Sequence, residues 1–447
     1  MAKEILRGAG DYALSRVPDE GKRAVWKVTV VRLGGISCLP VLMLGAQLGF
    51  SLTFWESFWA VFFGSVILQF VGWAIGYIGA KEGLSVSVLA RWCGLGNKGS
   101  SLIGLVIAIS LFGWFGIQNS VFADGLYQIT GLLNFPVWAI ITGIAVTFIV
   151  LYGFKMMSII ANIALPLFIA GVLFAFYKLL EGNDLLTLTT TPALGPALPM
   201  AVAITMVSGS FMVGAVISPD MSRFIKRPKD VFIMILVSTF VGELGFCMIG
   251  TLMAHAVGTP DVVTMMYTLS GALGVGLVIF STIKINDINL YSSSLGITNF
   301  IHAVFGKTVS RTAATFFMGI LGTILSVLGI LNYFIEFLSF LGVLIPPICG
   351  IMVADYFVLK RSRKLLDDSR AIGELPKTAE NWNFMAIIAW VIATLCGQFM
   401  TIGIGSINSL VISFVAYLVL MKIYMSATKK VLFKESEVNL EAEAAKE

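Results

Sequence analysis

The feature that most limits what this chain can fold into is the recurrence of long apolar stretches. About twelve segments are each apolar enough, over roughly twenty residues, to fill the hydrocarbon layer of a bilayer. They lie near 28–50, 54–78, 101–126, 136–153, 158–179, 199–217, 231–257, 269–292, 312–331, 335–359, 384–401 and 406–425, and are numbered here as spans 1 to 12. Spans 1, 6 and 8 are interrupted. The 447 residues are 57% hydrophobic and only 12% charged, about half the charge of a soluble chain. One water-soluble core cannot hide that much apolar surface at this length. The chain is therefore expected to be an all-α membrane protein.

Lysine and arginine set its orientation. With the N-terminus in the cytoplasm, twelve crossings leave Lys3 to Lys27, the cluster Lys81, Arg91 and Lys98, then Lys155, and Arg223, Lys226, Arg227 and Lys229 inside. Lys307, Arg311 and the run from Lys360 to Lys377 join them, and the outside loops keep only Lys178. Basic residues accumulate in this way on the cytoplasmic side, and a missed helix would scatter them. The net charge of +5 thus reflects topology and gives no sign of a nucleic-acid partner. Residues 1–26 carry no apolar signal core, and the tail from Lys429 reads as a solvated end. Cys38, Cys93, Cys247, Cys349 and Cys396 show no metal or disulfide spacing and read as small apolar residues.

Two spans carry helix-breaking residues. Span 1 contains Gly34, Gly35, Ser37, Cys38 and Pro40, and span 6 contains Gly209, Ser210, Phe211 and Gly214. Glycines of this kind can simply let helices pack closely. Two matching breaks five spans apart favour a transport site instead, because freed backbone groups survive at membrane depth only where they are buried or line a cavity.

Polar residues at membrane depth point the same way. Trp114 and Gln118 of span 3 share one helix face, with Gly113 and Gly116 leaving room beside them. A flat aromatic next to an amide suits a flat heterocycle, since the ring stacks and the amide pairs with ring N–H and C=O groups. A packed tryptophan with a glutamine bonded to a neighbouring helix is an equal reading. Span 8 carries Ser281, Thr282, Lys284, Asn286, Asp287 and Asn289, too much polarity to face lipid. Lys284 and Asp287 are three apart and can pair. Glu243, mid-span in span 7, can contact Lys284, carry a proton, or be a packed acid. Arg32 is expected to snorkel to the surface. Asp124 and Glu336 fall near span ends, and His255 and His302 are isolated. The sequence shows no catalytic pair, metal cluster, signalling domain or pore ring, so an enzyme, a sensor and a channel are all disfavoured.

With these residues in view the chain resembles the nucleobase:cation symporter-1 family, nearest to its bacterial cytosine/purine permease branch. The resemblance runs from about Val31 to Tyr424. It is carried by Gly76-Tyr77-Ile78-Gly79-Ala80-Lys81, Gly113-Trp114-Phe115-Gly116, Gly209-Ser210-Phe211, Pro219-Asp220, Asn286-Asp287, Ile345-Pro346-Pro347 and Ala354-Asp355-Tyr356. It implies a leucine-transporter-type fold with two inverted five-helix repeats, at 27–180 and 193–359, after an N-terminal tail at 1–26. A cytoplasmic loop at 360–382, accessory helices 11 and 12 at 383–426 and a C-terminal tail at 427–447 would follow, with both tails cytoplasmic.

Carried over from the family, Trp114 would stack on one face of a base and Phe211 would cover the other. Backbone near Ser210 and Gly214 would bond its edge, and Asn286, with Asn289 beside it, would reach it from span 8. Leu111 stands where the cytosine permeases have a glutamine, and Gln118 instead matches the spacing of the hydantoin and allantoin branch. The implied substrate is cytosine, a purine or a related flat heterocycle, imported by alternating access across the cytoplasmic membrane. Hydantoin- or allantoin-like ureides, or an amino acid on the same fold, are the alternatives.

The family's sodium site would lie between the span 1 break (Gly34, Ser37, Cys38) and span 8 (Ser281, Lys284, Ile285). An ammonium at Lys284 repels Na⁺, and Ile285 offers no oxygen. Transport is therefore expected to be sodium-independent or proton-coupled, with Lys284 as a built-in cation and Asp287 or Glu243 as its partner. No cofactor is implied, and a monomer is the default.

Overall fold

A computed structural model describes residues 12, 15–151 and 154–428, with side chains described outside 152–165. Residues 1–11, 13 and 14 of the expected N-terminal tail and 429–447 of the C-terminal tail lie outside the described residues. The regular elements among the described residues are helices. The six helices Phe54–Glu82, Ser101–Thr130, Pro228–Val257, Val262–Phe305, Ile330–Leu359 and Gly405–Thr428 are long and apolar enough to cross a membrane, and the bent pair Val25–Ile36 and Leu39–Ser51 adds a seventh. The shorter apolar helices Phe135–Leu151, Met200–Ser210, Arg311–Val327 and Phe384–Phe399 occupy the places of spans 4, 6, 9 and 11. Span 5 is Phe154–Gly182.

Span 2 shows how local sequence sets these limits. Thr53 caps its start, its hydroxyl accepting from the Glu56 amide while the Glu56 carboxylate accepts from the Thr53 amide at 3.0 Å. Gly83, at φ 65°, ends it in a left-handed turn that glycine adopts without strain. Trp55, Trp59, Phe63, Val66, Phe70 and Trp73 recur at helical spacing and are all exposed, which makes one face of the span lipid-facing.

The breaks sit beside the expected glycines. Span 1 bends by 55° between its halves, and the non-helical residues are Ser37 and Cys38. Gly34 and Gly35 lie inside the first half, and Pro40 occupies the first turn of the second. Proline cannot donate to the carbonyl four residues back and its ring collides with it, so helix ends at Ile36. In span 6 the interruption is Phe211, at φ −122° and ψ 16°, between Met200–Ser210 and Met212–Val216. Gly209 is still helical; a Cβ there would overlap the Leu338 carbonyl, so it serves the close approach of span 10. Span 8 is interrupted as expected, by a kink near its start. Its polar stretch is unbroken helix, and the lone non-helical residue is Gly271 near the start. Thr282, Ser293 and Ser294 donate back to carbonyls of their own helix at 2.7, 3.0 and 2.8 Å, which keeps those hydroxyls satisfied without a break.

Helix pairing follows a fivefold offset. Span 1 packs on span 7 as span 6 packs on span 2, and span 5 meets span 8 as span 10 meets span 3. Spans 3 and 8, and spans 4 and 9, pair with their own counterparts. Spans 4 and 9 even exchange small residues: a Cβ at Gly143 would strike Thr323, and one at Gly319 would strike Thr147. Spans 11 and 12 pack on each other and on span 10.

At the basic end the segment before span 1 is tied down. Arg23 bridges to Ile225 in the loop after span 6. Arg16 donates to the Glu82 carboxylate at 3.1 Å, to the Leu366, Glu374 and Glu82 carbonyls, and to the Ser369 hydroxyl. Arg370 and the Tyr356 hydroxyl complete the ring of donors around Glu82, at 2.6 and 2.5 Å.

Candidate functional site

Span 3 supplies the aromatic floor. Trp114 is 7% exposed and held edge-on by Phe334 and Phe337 of span 10, at centroid distances of 6.1 and 5.5 Å. Gly113 is what admits Phe337, since a Cβ there would meet that ring. One turn on, Gln118 is fully buried. Its amide nitrogen lies 3.9 Å from the Met43 sulfur of span 1 and its oxygen has no partner. The next residue differs: Asn119 donates to the Ala139 carbonyl and accepts from the Thr142 hydroxyl, both at 2.8 Å. Of two adjacent amides, Asn119 has partners for both its nitrogen and its oxygen, and Gln118 does not.

Span 8 faces span 3. Asn286 donates to the Phe115 carbonyl at 3.1 Å, while its side-chain oxygen is unpartnered. The Asn289 amide nitrogen and both carboxylate oxygens of Asp287 are also buried without partners. Buried polar groups in native proteins are almost always bonded, and an unmet one costs about 1–3 kcal/mol. On the facing helices of spans 3 and 8, such unmet groups are available to a polar guest.

Met43 and Phe334, which touch Gln118 and Trp114, also line a cavity of about 550 Å³. Gln47, Asp124, Asp261 and Asn332 line it too, from helix ends opposite the basic face. The Trp114 region therefore lies beneath the floor of a vestibule wide enough for a small heterocycle.

Around the breaks the structure separates two sets of charges. Lys284 lies within electrostatic reach of Cys38 at the span 1 break and of Asp287. It makes no ion pair within 4 Å among the described residues, and Ser281 is buried one turn before it. Ser37 is buried and Cys38 half-buried. Glu243 belongs to the second set: it accepts from the Ser210 hydroxyl at 2.9 Å, and the basic group that reaches it is Arg32. Arg32 does not snorkel. It is 4% exposed and donates to the Gly214 carbonyl at 2.9 Å and the Ser238 hydroxyl at 3.2 Å, with its guanidinium carbon 5.5 Å from the Phe211 ring centre. Phe211 and Trp114 make no ring contact.

Sequence reasoning missed the inward role of Arg32 and the span 10 aromatics behind Trp114. A signal existed for the first: Arg32 lies only five residues before the break, too deep to reach the surface easily. None existed for the second, because the apolar residues of span 10 look alike before packing is known.

The chain is similar to known transporters along nearly its whole length. A family described as permeases for cytosine/purines, uracil, thiamine and allantoin matches residues 16–424. The cytosine permease of Escherichia coli (strain K12) is 30% identical over 416 residues, 92% of this chain and 94% of that one. The hydantoin permease of Microbacterium maritypicum is 24% identical over 457 residues, 95% of this chain and 90% of that one. A solved structure of Mhp1 in an inward-facing conformation shares the fold, with a TM-score of 0.77 at 19% identity over 95% of this chain and 97% of that one.

Proposed function

Because the chain belongs to the family of permeases for cytosine/purines, uracil, thiamine and allantoin, we propose that this transporter imports a flat nitrogen heterocycle, a nucleobase such as cytosine or a purine, by alternating access. It would sit in the cytoplasmic membrane with both termini inside, as the distribution of lysine and arginine favours. The observation that supports the substrate class is the set of unmet polar atoms on the facing spans 3 and 8: the Gln118 and Asn286 oxygens and the Asn289 nitrogen. A heterocycle stacked on the indole offers N–H donors and carbonyl acceptors at its edge to meet them. Ser210, Phe211 and Gly214 would close the other side, with the two five-helix repeats at 27–180 and 193–359 moving around the site. Gln118 favours hydantoin-like ureides as a second reading, since it matches the spacing of that branch and a hydantoin permease is among the relatives.

Lys284 supports sodium independence. Lys284 is within electrostatic reach of Cys38 and Asp287, and a sodium ion between the span 1 break and Ser281 would need oxygens and no competing positive charge. A resident cation makes transport facilitated or proton-coupled, with Asp287 as the carboxylate near Lys284.

Uptake of radiolabelled cytosine into cells overproducing the protein tests this, with purines, uracil, hydantoin and allantoin as competitors and choline in place of sodium. Uptake that survives sodium removal and is competed by one of these rings supports both parts. A strict sodium requirement removes the Lys284 proposal, and no uptake or competition by any of them removes the substrate class.

A further inference from the structure

The residues around the span 6 break are joined in a way that the substrate reading does not use. Phe211 is the single non-helical residue between two helical pieces, and each neighbouring turn is tied to another span. Before the break, the Ser210 hydroxyl donates to Glu243 of span 7. After it, the Gly214 carbonyl accepts from Arg32 of span 1. Arg32 also donates to Ser238, where the wide π turn of span 7 that carries Glu243 begins. Arg32 and Glu243 are within electrostatic reach of each other, which places both ties in one buried cluster. The Phe211 ring lies in the middle. The guanidinium is over one side of it, and a Cβ at Gly214 would overlap it. A planar cation on an aromatic face is attractive, most strongly when both are out of water.

Resting on the reading of a heterocycle site, we infer that Arg32 is a positioning residue for the aromatic lid. It holds the Phe211 ring at the break and ties the first half of span 1 to the second part of span 6, so that the ring closes over the substrate as those pieces move together. Lysine cannot replace it, since one ammonium offers no flat face and cannot donate from two fixed directions to Gly214 and Ser238.

The test is a double-mutant cycle on heterocycle uptake, using Arg32→Met, Arg32→Lys, Phe211→Leu and the Arg32→Met/Phe211→Leu pair. Arg32→Met and Arg32→Lys are each expected to raise KM about tenfold, and Arg32→Met to change it less than about twofold when Phe211 is already leucine. Effects that multiply independently, or an unchanged KM in Arg32→Met, overturn the inference. If Arg32→Met does not reach the membrane, Arg32→Lys carries the same cycle.

A second readout needs no substrate: the alkylation rate of Cys38, half-buried at the span 1 break, with Cys93, Cys247, Cys349 and Cys396 replaced by alanine. Losing the Arg32 tie is expected to speed alkylation several-fold, and an unchanged rate overturns the inference. If the wild-type protein takes up no heterocycle, the substrate reading falls, and the Cys38 rate alone decides whether Arg32 holds the break.

Discussion

Gln118 and Asn119 are neighbours on one helix, equally buried, yet they should respond oppositely to the same change. The Gln118 oxygen has no partner and its nitrogen only a sulfur at 3.9 Å, so the amide contributes little to the empty protein. Gln118→Leu keeps the approximate volume and removes an unmet acceptor. It should leave stability unchanged or raise it by up to about 1 kcal/mol. Binding is another matter. If the amide meets the edge of a heterocycle, its loss removes about 1–3 kcal/mol, which raises KM roughly 5- to 150-fold. Asn119 makes two bonds of 2.8 Å, to Ala139 and Thr142 of span 4. Asn119→Leu strands those partners and should destabilise by about 1–3 kcal/mol, with KM of the folded fraction unchanged. The assay pairs uptake kinetics with thermal unfolding of the purified proteins in detergent. Loss of stability in Gln118→Leu with an unaltered KM would refute the reasoning, for it would make Gln118 a structural amide like its neighbour.

Other outcomes follow from the same geometry. Lys284→Ser combined with Ile285→Thr restores hydroxyls and removes the ammonium, so uptake should become sodium-dependent; uptake of this variant that is indifferent to sodium counts against the resident-cation proposal. Gly209→Ala places a Cβ against the Leu338 carbonyl and should cost at least about 1–3 kcal/mol of packing, seen as a lower melting temperature. Arg16→Ala leaves the buried Glu82 with Arg370 and Tyr356 as partners. The loss should be about 2 kcal/mol, less than the ~3–5 kcal/mol of a fully stranded buried charge, and an unchanged melting temperature would mean the segment before span 1 is not fastened as described.

The span pattern was legible because lipid leaves few options: a long apolar stretch must be helix, and a polar one must face inward. Span 7 was placed to the residue at both ends, at Val231 and Val257. The breaks were legible to within a few residues. Glycine marks tolerance of irregular backbone or of close contact, and sequence alone does not say which; Pro40 and Phe211, not Gly34, Gly35 and Gly209, mark where helix stops. The polar run of span 8 stays helical beyond the Gly271 kink because its hydroxyls bond back to carbonyls of their own helix. The partners of Arg32, Glu243 and Arg16 were illegible for a plainer reason. Arg16 reaches Glu82 from 66 residues away and Ser369 from 353 residues away, and no local pattern encodes contacts of that kind.

The exchanged pairing of the repeats has a consequence for how the protein is made. Span 1 rests on span 7, and span 6 on span 2 as well as on span 10, so each broken helix depends in part on a helix of the other five-helix unit. During synthesis the first five spans leave the insertion machinery with the freed backbone at Ser37 and Cys38 still uncovered. The later spans must arrive before that irregular stretch is enclosed. A chain truncated after span 5 should then be a substrate for membrane proteases, whereas separately expressed halves should rescue each other, because each carries the surface that the other lacks.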